Sequence, residues 1–497
     1  MIKYCTTTKG VKMKKMKSTR TLLLLCLLVF LVSWSEKITD QLNLQVTESK
    51  KGDQKPNIVF FFSDDHTTQA ISAYGSTIAK TPNIDHIAEM GMRFDHMMAT
   101  NAICAPSRAT ILTGTYSHVN GQLDNHNVFD GSQPTLPKML KSAGYQRAIF
   151  GKWHLKSIPT GFNEFGVLEG QGQYFDPVWI TPEGKGKRSG YVSDVITNEA
   201  LLWLKEKRTS DKPFLLMINH KAPHRNGQWH QRYKDIYPVG SIPPPETFDD
   251  DFKTRTESTR NNKITIMSMD KTHLTRKPPE ELTGAELKKW NYERYITDYL
   301  RTAQSVDDGV GQILDYLEEN GLTKNTIIIY ASDQGFFLGE HGWFDKRFPF
   351  EEALRMPFIM SYPKKIEPGT SSKALLGNHE ILPTLLDFAG VTPPDRVQGR
   401  SFRKIAEGGT PPEWTKSFYY RYYETTFWCD VQMEAVRTEK YKLIHYIGQD
   451  DWELYDLETD PKEVNNIYNN PDFAAVLRKM EAELKRLRKY YGISSVN

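Results

Sequence analysis

The stretch NIVFFFSDDH, residues 57–66, places an apolar run directly before a serine, two aspartates and a histidine. A short apolar run without alternation is the pattern of a strand buried on both faces. The construction recurs. Residues 147–150 lead into Gly151-Lys152-Trp153-His154, residues 214–219 into His220-Lys221-Ala222-Pro223-His224, and residues 326–331 into Ser332-Asp333-Gln334-Gly335. Residues 356–361 form one further candidate strand. Helical patterns lie between these runs: a short helix opening at Thr81-Pro82 and running to about Gly91, then residues 136–143, 195–206 and a long helix over 292–319. Strands alternating with helices predict an α/β fold with a large, mostly parallel sheet flanked by helices. Ligands of such sheets bind beyond the carboxyl ends of the strands. The polar sets that follow the runs are therefore expected to converge on one crevice.

At 497 residues the chain is long enough for two domains. Residues 225–290 are charged, Pro-rich and aperiodic, which predicts an insertion rimming the site. Strand-like aromatic pieces follow at 418–423, 435–438 and 441–446, then a basic helix at 473–490. The expected division is a signal peptide at 1–35, a polar lead-in at 36–55, a main domain at 56–408, and a smaller α+β domain at 409–497 made of an antiparallel sheet and a helix. Lys12, Lys14, Lys15, Lys17 and Arg20 precede an apolar run at 21–32 and the small residues of Ser33-Trp34-Ser35. That is the layout of a secretory signal, and the run is short for a stable membrane span. A retained signal anchor is the alternative; the expectation is export, to a periplasm or to the outside. The formal charge is +3, and without the seven Lys and Arg of residues 1–35 the body stands at −4. No global electrostatic grip on nucleic acid follows from that balance. Cys5 and Cys26 would leave with the signal, so Cys104 and Cys429 remain. An exported disulfide framework uses more cysteines, and a 104–429 bridge would consume Cys104.

Cys104 opens the string CAPSRATILTG, residues 104–114. Read alone, it is a thiol nucleophile or a buried cysteine beside a Pro-initiated helix. Its Cys-x-Pro-Ser-Arg frame, closed after four free positions by Thr113-Gly114, resembles the signature of the type I sulfatases, an alkaline-phosphatase-like family. The resemblance extends from residue 56 to about 465, through Gly144-Tyr145 to His154 and on to Trp452-Glu453-Leu454-Tyr455-Asp456-Leu457 and Asp460-Pro461. It implies that a dedicated maturase converts Cys104 to Cα-formylglycine. The hydrated aldehyde then attacks sulfur with one hydroxyl, and loss of the second hydroxyl's proton releases sulfate.

Asp64, Asp65, Asp333 and the amide oxygen of Gln334 form an all-oxygen set that suits Ca²⁺, with Mg²⁺ second, over zinc. In the family the matching positions bind calcium, with Cys104 in its converted form adding an oxygen; Asn or His is usual where Gln334 stands. By the same resemblance Lys152 and Lys346 bind sulfate, with Arg347 able to exchange roles with Lys346. His154 deprotonates the second hydroxyl and His224 protonates the leaving oxygen. Arg108, one helical turn beyond Cys104, is placed to offset charge, and the helix start near Ser107 to offer amides to an anion. Asp307 and Asp308 read as a solvated or capping face. Within the family the chain looks closest to bacterial carbohydrate sulfatases, notably those acting on N-acetylglucosamine 6-sulfate of glycosaminoglycans, with Arg421 and Glu424 as candidate sugar contacts. The expected substrate is thus a sulfated carbohydrate. Two rivals stand beside this reading: a phosphate or phosphonate monoester hydrolase of the same fold, and a non-catalytic glycan-binding protein if Cys104 stays unmodified.

Overall fold

The computed structural model describes residues 54–493; the signal read at 1–35 and nearly all of the lead-in at 36–55 lie outside them. The run at 57–62 becomes the strand Asn57–Asp64, buried along its whole length. It lies between Phe214–Pro223 and Thr326–Ser332, parallel to both, and Gln146–Gly151 continues the parallel set beyond Phe214–Pro223. Ile58, Phe60 and Phe62 point to one face, against Ile111, Leu112, Leu136, Leu140 and Leu382. Val59 and Phe61 point to the other, against Ile84, Ile196, Val306, Val310 and Ile313. The period of two along a strand sends alternate residues to opposite helical layers, and because both layers are apolar the sequence does not alternate.

The complete sheet has ten strands in the order Thr370–Ser372, Met92–Phe94, Phe358–Ser361, Thr326–Ser332, Asn57–Asp64, Phe214–Pro223, Gln146–Gly151, Glu164–Leu168, Val178–Thr181 and Gly184–Lys187. It is mixed. Five central strands run parallel, from Thr326–Ser332 to Glu164–Leu168, whereas Phe358–Ser361 and the hairpin Val178–Thr181/Gly184–Lys187 introduce antiparallel pairs at the flanks. The long helix, Gly284–Glu319, starts eight residues before the expected 292, so the irregular segment is shorter than 225–290. Asp307 on that helix is fully buried rather than solvated. It caps the helix Pro82–Glu89, accepting from the amides of Asn83 at 3.1 Å and Ile84 at 2.9 Å. Asp308 accepts from the Tyr233 hydroxyl at 2.6 Å.

A smaller C-terminal strand domain carries an antiparallel sheet, Ser417–Tyr422, Gln432–Thr438, Tyr441–Ile447 and Asp451–Asp456, in that order. One face packs Tyr419, Val436, Leu443 and Leu454 on Met480, Leu484 and Leu487 of the helix Ala474–Tyr491. The other packs Tyr420, Tyr422, Ile444, Tyr446 and Tyr455 on Phe337, Trp343, Phe348 and Phe350 of the larger part. The segment before the long helix ties into both, because Phe344 donates to the Ile264 carbonyl at 3.0 Å and Thr256 donates to Glu453. Among the described residues no helix is long and apolar enough to cross a membrane. Cys104 and Cys429 are both free and buried.

Buried Glu434 joins the C-terminal sheet to its helix. It takes hydrogen bonds from Arg488 Nε at 2.8 Å, from a second Arg488 nitrogen, from His445 at 2.9 Å and from Tyr419 at 2.8 Å. Burial raises its pKa, but the bonds from His445 and Arg488 outweigh burial and bring it from 4.5 to about 2. A carboxylate depressed in the folded state stabilises fully above its unfolded pKa, and that stabilisation is lost as pH falls through the folded value. Glu434→Gln should therefore cost about 3 kcal/mol at pH 7. Urea unfolding of variant and parent should converge as pH drops from 4.5 toward 2; a constant difference would contradict the assignment.

Candidate active site

The parallel register decides which side chains meet. Ser63 lies opposite Ser332, Asp64 opposite Pro223, and Gly151 opposite Asn219. The carboxyl ends of four strands therefore lie on one edge of the sheet, and Asp64/Asp65, Asp333/Gln334, Lys152 and His224 emerge together as the sequence led one to expect. Gly151 is required at this edge: its φ is +105° and a Cβ there would run into the Asn219 carbonyl. Asp65 also has a positive φ, 67°. Tyr299 supports that turn by donating to the Asp65 carbonyl at 2.7 Å and accepting from the Thr67 amide at 3.1 Å.

Cys104 opens the helix Cys104–Thr113 and is 1% exposed. Its sulfur lies with oxygens of Asp64 and Asp333, ligand atoms of the three falling within 4.8 Å of one another. Burial holds the thiol far above its ordinary range, so an unmodified Cys104 stays protonated and is a weak nucleophile. Arg108, a turn further on, bridges the two carboxylates, reaching Asp64 at 3.3 Å and Asp333 at 3.0 Å, and donates to the Lys152 carbonyl at 3.0 Å. Its guanidinium also lies over the Phe62 ring, 4.8 Å from the centroid. One expectation fails at the helix start. The Ala105 amide is taken by Asn125 Oδ1 at 3.0 Å, the Ser107 amide by the Ile103 carbonyl at 3.0 Å, and Pro106 has none, so those amides are already bonded and not free for an anion. Ser107 instead donates its hydroxyl to the Asp333 carbonyl and accepts from Asn378 at 2.9 Å, fixing the Asp333 backbone.

The lysines lie against the aspartates. Lys152 pairs with Asp64 and donates to Gln171 at 2.5 Å; Lys346 pairs with Asp65 at 2.5 Å. Arg347 turns away to Asp345 at 2.5 Å, so of the two neighbours Lys346 is the one in the cluster. His224 has Nδ1 2.7 Å from the Arg225 carbonyl, an acceptor, which puts the proton on Nδ1 and aims Nε2 at Asp65, 3.8 Å away. His154 is half-buried, and its Nδ1 has no partner. Burial, then Lys152, depresses both imidazoles, so both are neutral.

The carboxylates do not share one electrostatic fate. Burial raises Asp64, but the charges of Lys152 and Arg108 outweigh it and hold its pKa well below the usual range. Asp65 is raised by burial despite Lys346, and burial with the charge of Asp64 pushes Asp333 up to about 7. A set of like charges so crowded is one that a hard cation would ionise fully. The donor atoms fit such an ion: Asp65 Oδ2 and Gln334 Oε1 are buried oxygens without a hydrogen-bond partner among the described residues, while Gln334 Nε2 is used on Asp65 Oδ1 at 2.5 Å. Asp64, Asp65, Asp333, Gln334 and the side chain at 104 are the residues that would hold it.

Arg421 stands apart. It shares a strand face with Tyr419, lies over the Tyr423 ring and donates to Gln432 at 2.9 Å, opposite Tyr420 and Tyr422, which face the larger part. Glu424 reaches the site's edge by accepting from the Asn125 amide at 2.9 Å. Ser107, Asn125, Tyr299 and Asn378, all tied to the cluster, escaped sequence reasoning, because small polar residues carry no signal of the distant partner they meet. Lys221 was passed over as well, although it sits within the string that ends at His224.

Comparison with known proteins agrees with this geometry. Residues 56–391 match the family profile described as sulfatase, and residues 339–490 match that described as N-sulphoglucosamine sulphohydrolase, C-terminal. An N-acetylglucosamine-6-O-sulfatase of Bacteroides thetaiotaomicron is 41% identical, covering 89% of this chain and 88% of its own. A protein solved in complex with its substrate D-glucosamine-2-N,6-O-disulfate superposes with a TM-score of 0.85 at 40% identity, over 89% of this chain and 99% of the other. A phosphonate monoester hydrolase of Agrobacterium radiobacter shares the fold at 20% identity, with a TM-score of 0.72 over 88% of this chain and 96% of its own. With a buried Cys104 at the head of the signature helix, acidic strand ends beside it and matches along most of its length, the chain belongs to the sulfatase family and is a carbohydrate sulfatase.

Proposed function

We propose that the chain removes the 6-sulfate of N-acetylglucosamine, or of a related glucosamine sulfate, in glycosaminoglycan fragments. The overall change is hydrolytic: the sulfate ester and water give the sugar alcohol and inorganic sulfate. The observation that carries the chemistry is the convergence of Asp64 and Asp333 on Cys104, with Asp65 and Gln334 bonded beside them and Lys152 and Lys346 paired to the aspartates. The sugar assignment rests on the 41% identity to the Bacteroides N-acetylglucosamine-6-O-sulfatase and the likeness to the protein solved with a disulfated glucosamine. We take Cys104 as formylglycine, produced by a maturase, and Ca²⁺ as the resident ion; together they supply an activated hydroxyl and a route for expelling sulfate.

The chain's own groups do the rest. Lys152 and Lys346 hold sulfate oxygens, and Arg108 offsets the charge of Asp64 and Asp333 so that the acidic ends can stay together. His224, its Nδ1 proton anchored on the Arg225 carbonyl, presents Nε2 to the leaving sugar oxygen. A bound sulfate ester favours the imidazolium that donates there. His154, neutral and with Nδ1 unpartnered, accepts the proton whose loss releases sulfate. Residues 56–408 form the catalytic domain and 409–497 the smaller domain beside it. Glu424, bonded to the loop at Asn125, lies where a sugar would be read; Arg421 meets it only if its guanidinium leaves Gln432. The basic, then apolar start of the chain is an export signal, which brings the enzyme to its polymer. Phosphonate hydrolysis draws support from the shared fold, and a release assay on both esters separates it from sulfate hydrolysis; among the described residues the candidate metal cluster contains no histidine, against a two-zinc phosphatase.

Sulfate release from N-acetylglucosamine 6-sulfate should be readily measured with matured protein and abolished in Cys104→Ala, and mass spectrometry of the Cys104 peptide should show the thiol replaced by an aldehyde. Inertness toward every sulfated sugar, with brisk cleavage of phosphonate esters, would sink the proposal. Ca²⁺ should raise the melting temperature in a concentration-dependent way, by about 2.7 kcal/mol of stability at a hundredfold excess over Kd, with Mg²⁺ weaker and a chelator reversing both; no response to either ion would remove the metal assignment. His224→Ala should slow sugar sulfates far more than aryl sulfates, whose leaving groups need no proton. Equal losses on both would take the acid role from His224.

A further inference from the structure

The cluster contains a cation that the roles above leave unused. Arg108, Lys152 and Lys346 answer Asp64, Asp65 and Asp333 through direct ion pairs. Lys221, in the strand Phe214–Pro223, is 4% exposed and has no hydrogen bond or ion pair among the described residues. Its ammonium lies 4.8 Å from the centroid of the Tyr174 ring. Two residues on, Pro223 lies opposite Asp64, and His224 reaches toward Asp65 at 3.8 Å, so Lys221 stands at the catalytic edge of the sheet. Its own carbonyl accepts from the His224 amide at 3.1 Å, and the Tyr174 hydroxyl donates to the His224 carbonyl at 2.5 Å. Lys221 and His224 thus share the end of one strand, and Tyr174 packs on it from the segment after Glu164–Leu168.

Such an arrangement is costly if the lysine serves packing alone. Contact with an aromatic face contributes about 0.5–2 kcal/mol. Taking an ammonium out of water costs several kcal/mol. A methionine would fill the same space over Tyr174 without that cost. Burial, then the like charge of Lys152, brings Lys221 down to about 7, the behaviour of a cation lacking its counter-charge. An anion entering between Lys152 and Cys104 would supply that charge.

We propose that Lys221 is a third sulfate-binding cation, its ammonium contacting an oxygen of the sulfuryl group beside those held by Lys152 and Lys346. The inference rests on the sulfatase reading above. Negative charge is shared among the sulfuryl oxygens as the bond from sulfur to the sugar oxygen breaks and the bond to the attacking oxygen forms. Lys221 neither gives nor takes a proton in that step; the leaving oxygen receives its proton from His224. A fixed ammonium aimed at those oxygens stabilises the transfer electrostatically.

The test compares matured wild type with Lys221→Met and Lys221→Arg, using N-acetylglucosamine 6-sulfate as substrate and two inhibitors, inorganic sulfate and unsulfated N-acetylglucosamine. Lys221→Met should lose on the order of 10- to 100-fold in kcat/KM and in affinity for inorganic sulfate, the range for a charge-assisted hydrogen bond. Inhibition by the unsulfated sugar should stay unchanged, and the melting temperature should hold or rise. Lys221→Arg should recover sulfate inhibition to within a few-fold, and it carries the test if the methionine variant does not fold. Undiminished sulfate inhibition in Lys221→Met, or in Lys221→Arg no better inhibition than in Lys221→Met, overturns the proposal. So does a loss confined to melting temperature, or one seen with the unsulfated sugar and not with sulfate. A wild type that releases no sulfate from any sulfated sugar would instead defeat the underlying functional reading.

Discussion

Three carboxylates buried at adjacent strand ends cannot all stay ionised without nearby positive charge, and much of the site follows from that requirement. Asp64, Asp65 and Asp333 are each at most 1% exposed. The parallel register leaves them no freedom to separate, since Ser63 and Ser332 are paired neighbours in the sheet. The fold meets the requirement with cations drawn from three different segments: Arg108 from a helix, Lys152 from the end of Gln146–Gly151, two strands along from Asn57–Asp64, and Lys346 from the loop after Phe344–Asp345. Their burial makes every interaction among these groups stronger than it would be in water. It also makes the arrangement sensitive to any anion that enters.

The elements that could be read from sequence are those whose burial is two-sided. Residues 57–62, 214–219 and 326–331 announce themselves because both faces meet apolar layers, and the polar residues after them mark the edge where chemistry sits. The hairpin Val178–Thr181/Gly184–Lys187 went unread, since the second of its strands is entirely exposed and offers no apolar pattern. The long helix was read eight residues short for a related reason: its first turns are exposed or half-buried and lack the apolar stripe that defines the rest. For Asp307 the sequence left solvation and capping open; the structure shows capping, and a helix-borne aspartate gives no hint of which second helix it will cap.

Within the site, residues carrying charge at a strand end were legible, and residues acting through a single neutral hydrogen bond were not. Ser107 lies inside the quoted signature, yet its part in clamping the Asp333 backbone depends on a contact across more than two hundred residues of chain. The expected anion-binding amides at the helix start fell to the same kind of event, a hydrogen bond that the Ala105 amide donates to Asn125 Oδ1. Lys221 shows the converse. A lone lysine after a strand reads as a solvated group, and only the tertiary packing on Tyr174 reveals that it is enclosed.

The C-terminal sheet contributes directly to the same cluster. Tyr420 donates to the carbonyl of Arg347, the residue after Lys346, and the Arg421 amide donates to the Thr100 carbonyl at 3.0 Å, just before the helix that opens with Cys104. Glu424 extends the tie to Asn125, whose side chain caps Ala105 in that helix. One strand and the loop after it therefore hold the loop that carries Lys346 and the segment leading to Cys104 in a fixed relation. The stretch 339–391, which contains Lys346, is matched by both family profiles, as expected of a segment that packs on both parts of the molecule. A change in the loop following Tyr422 would then reach the chemistry through the backbone of the cluster as well as through contact with a sugar.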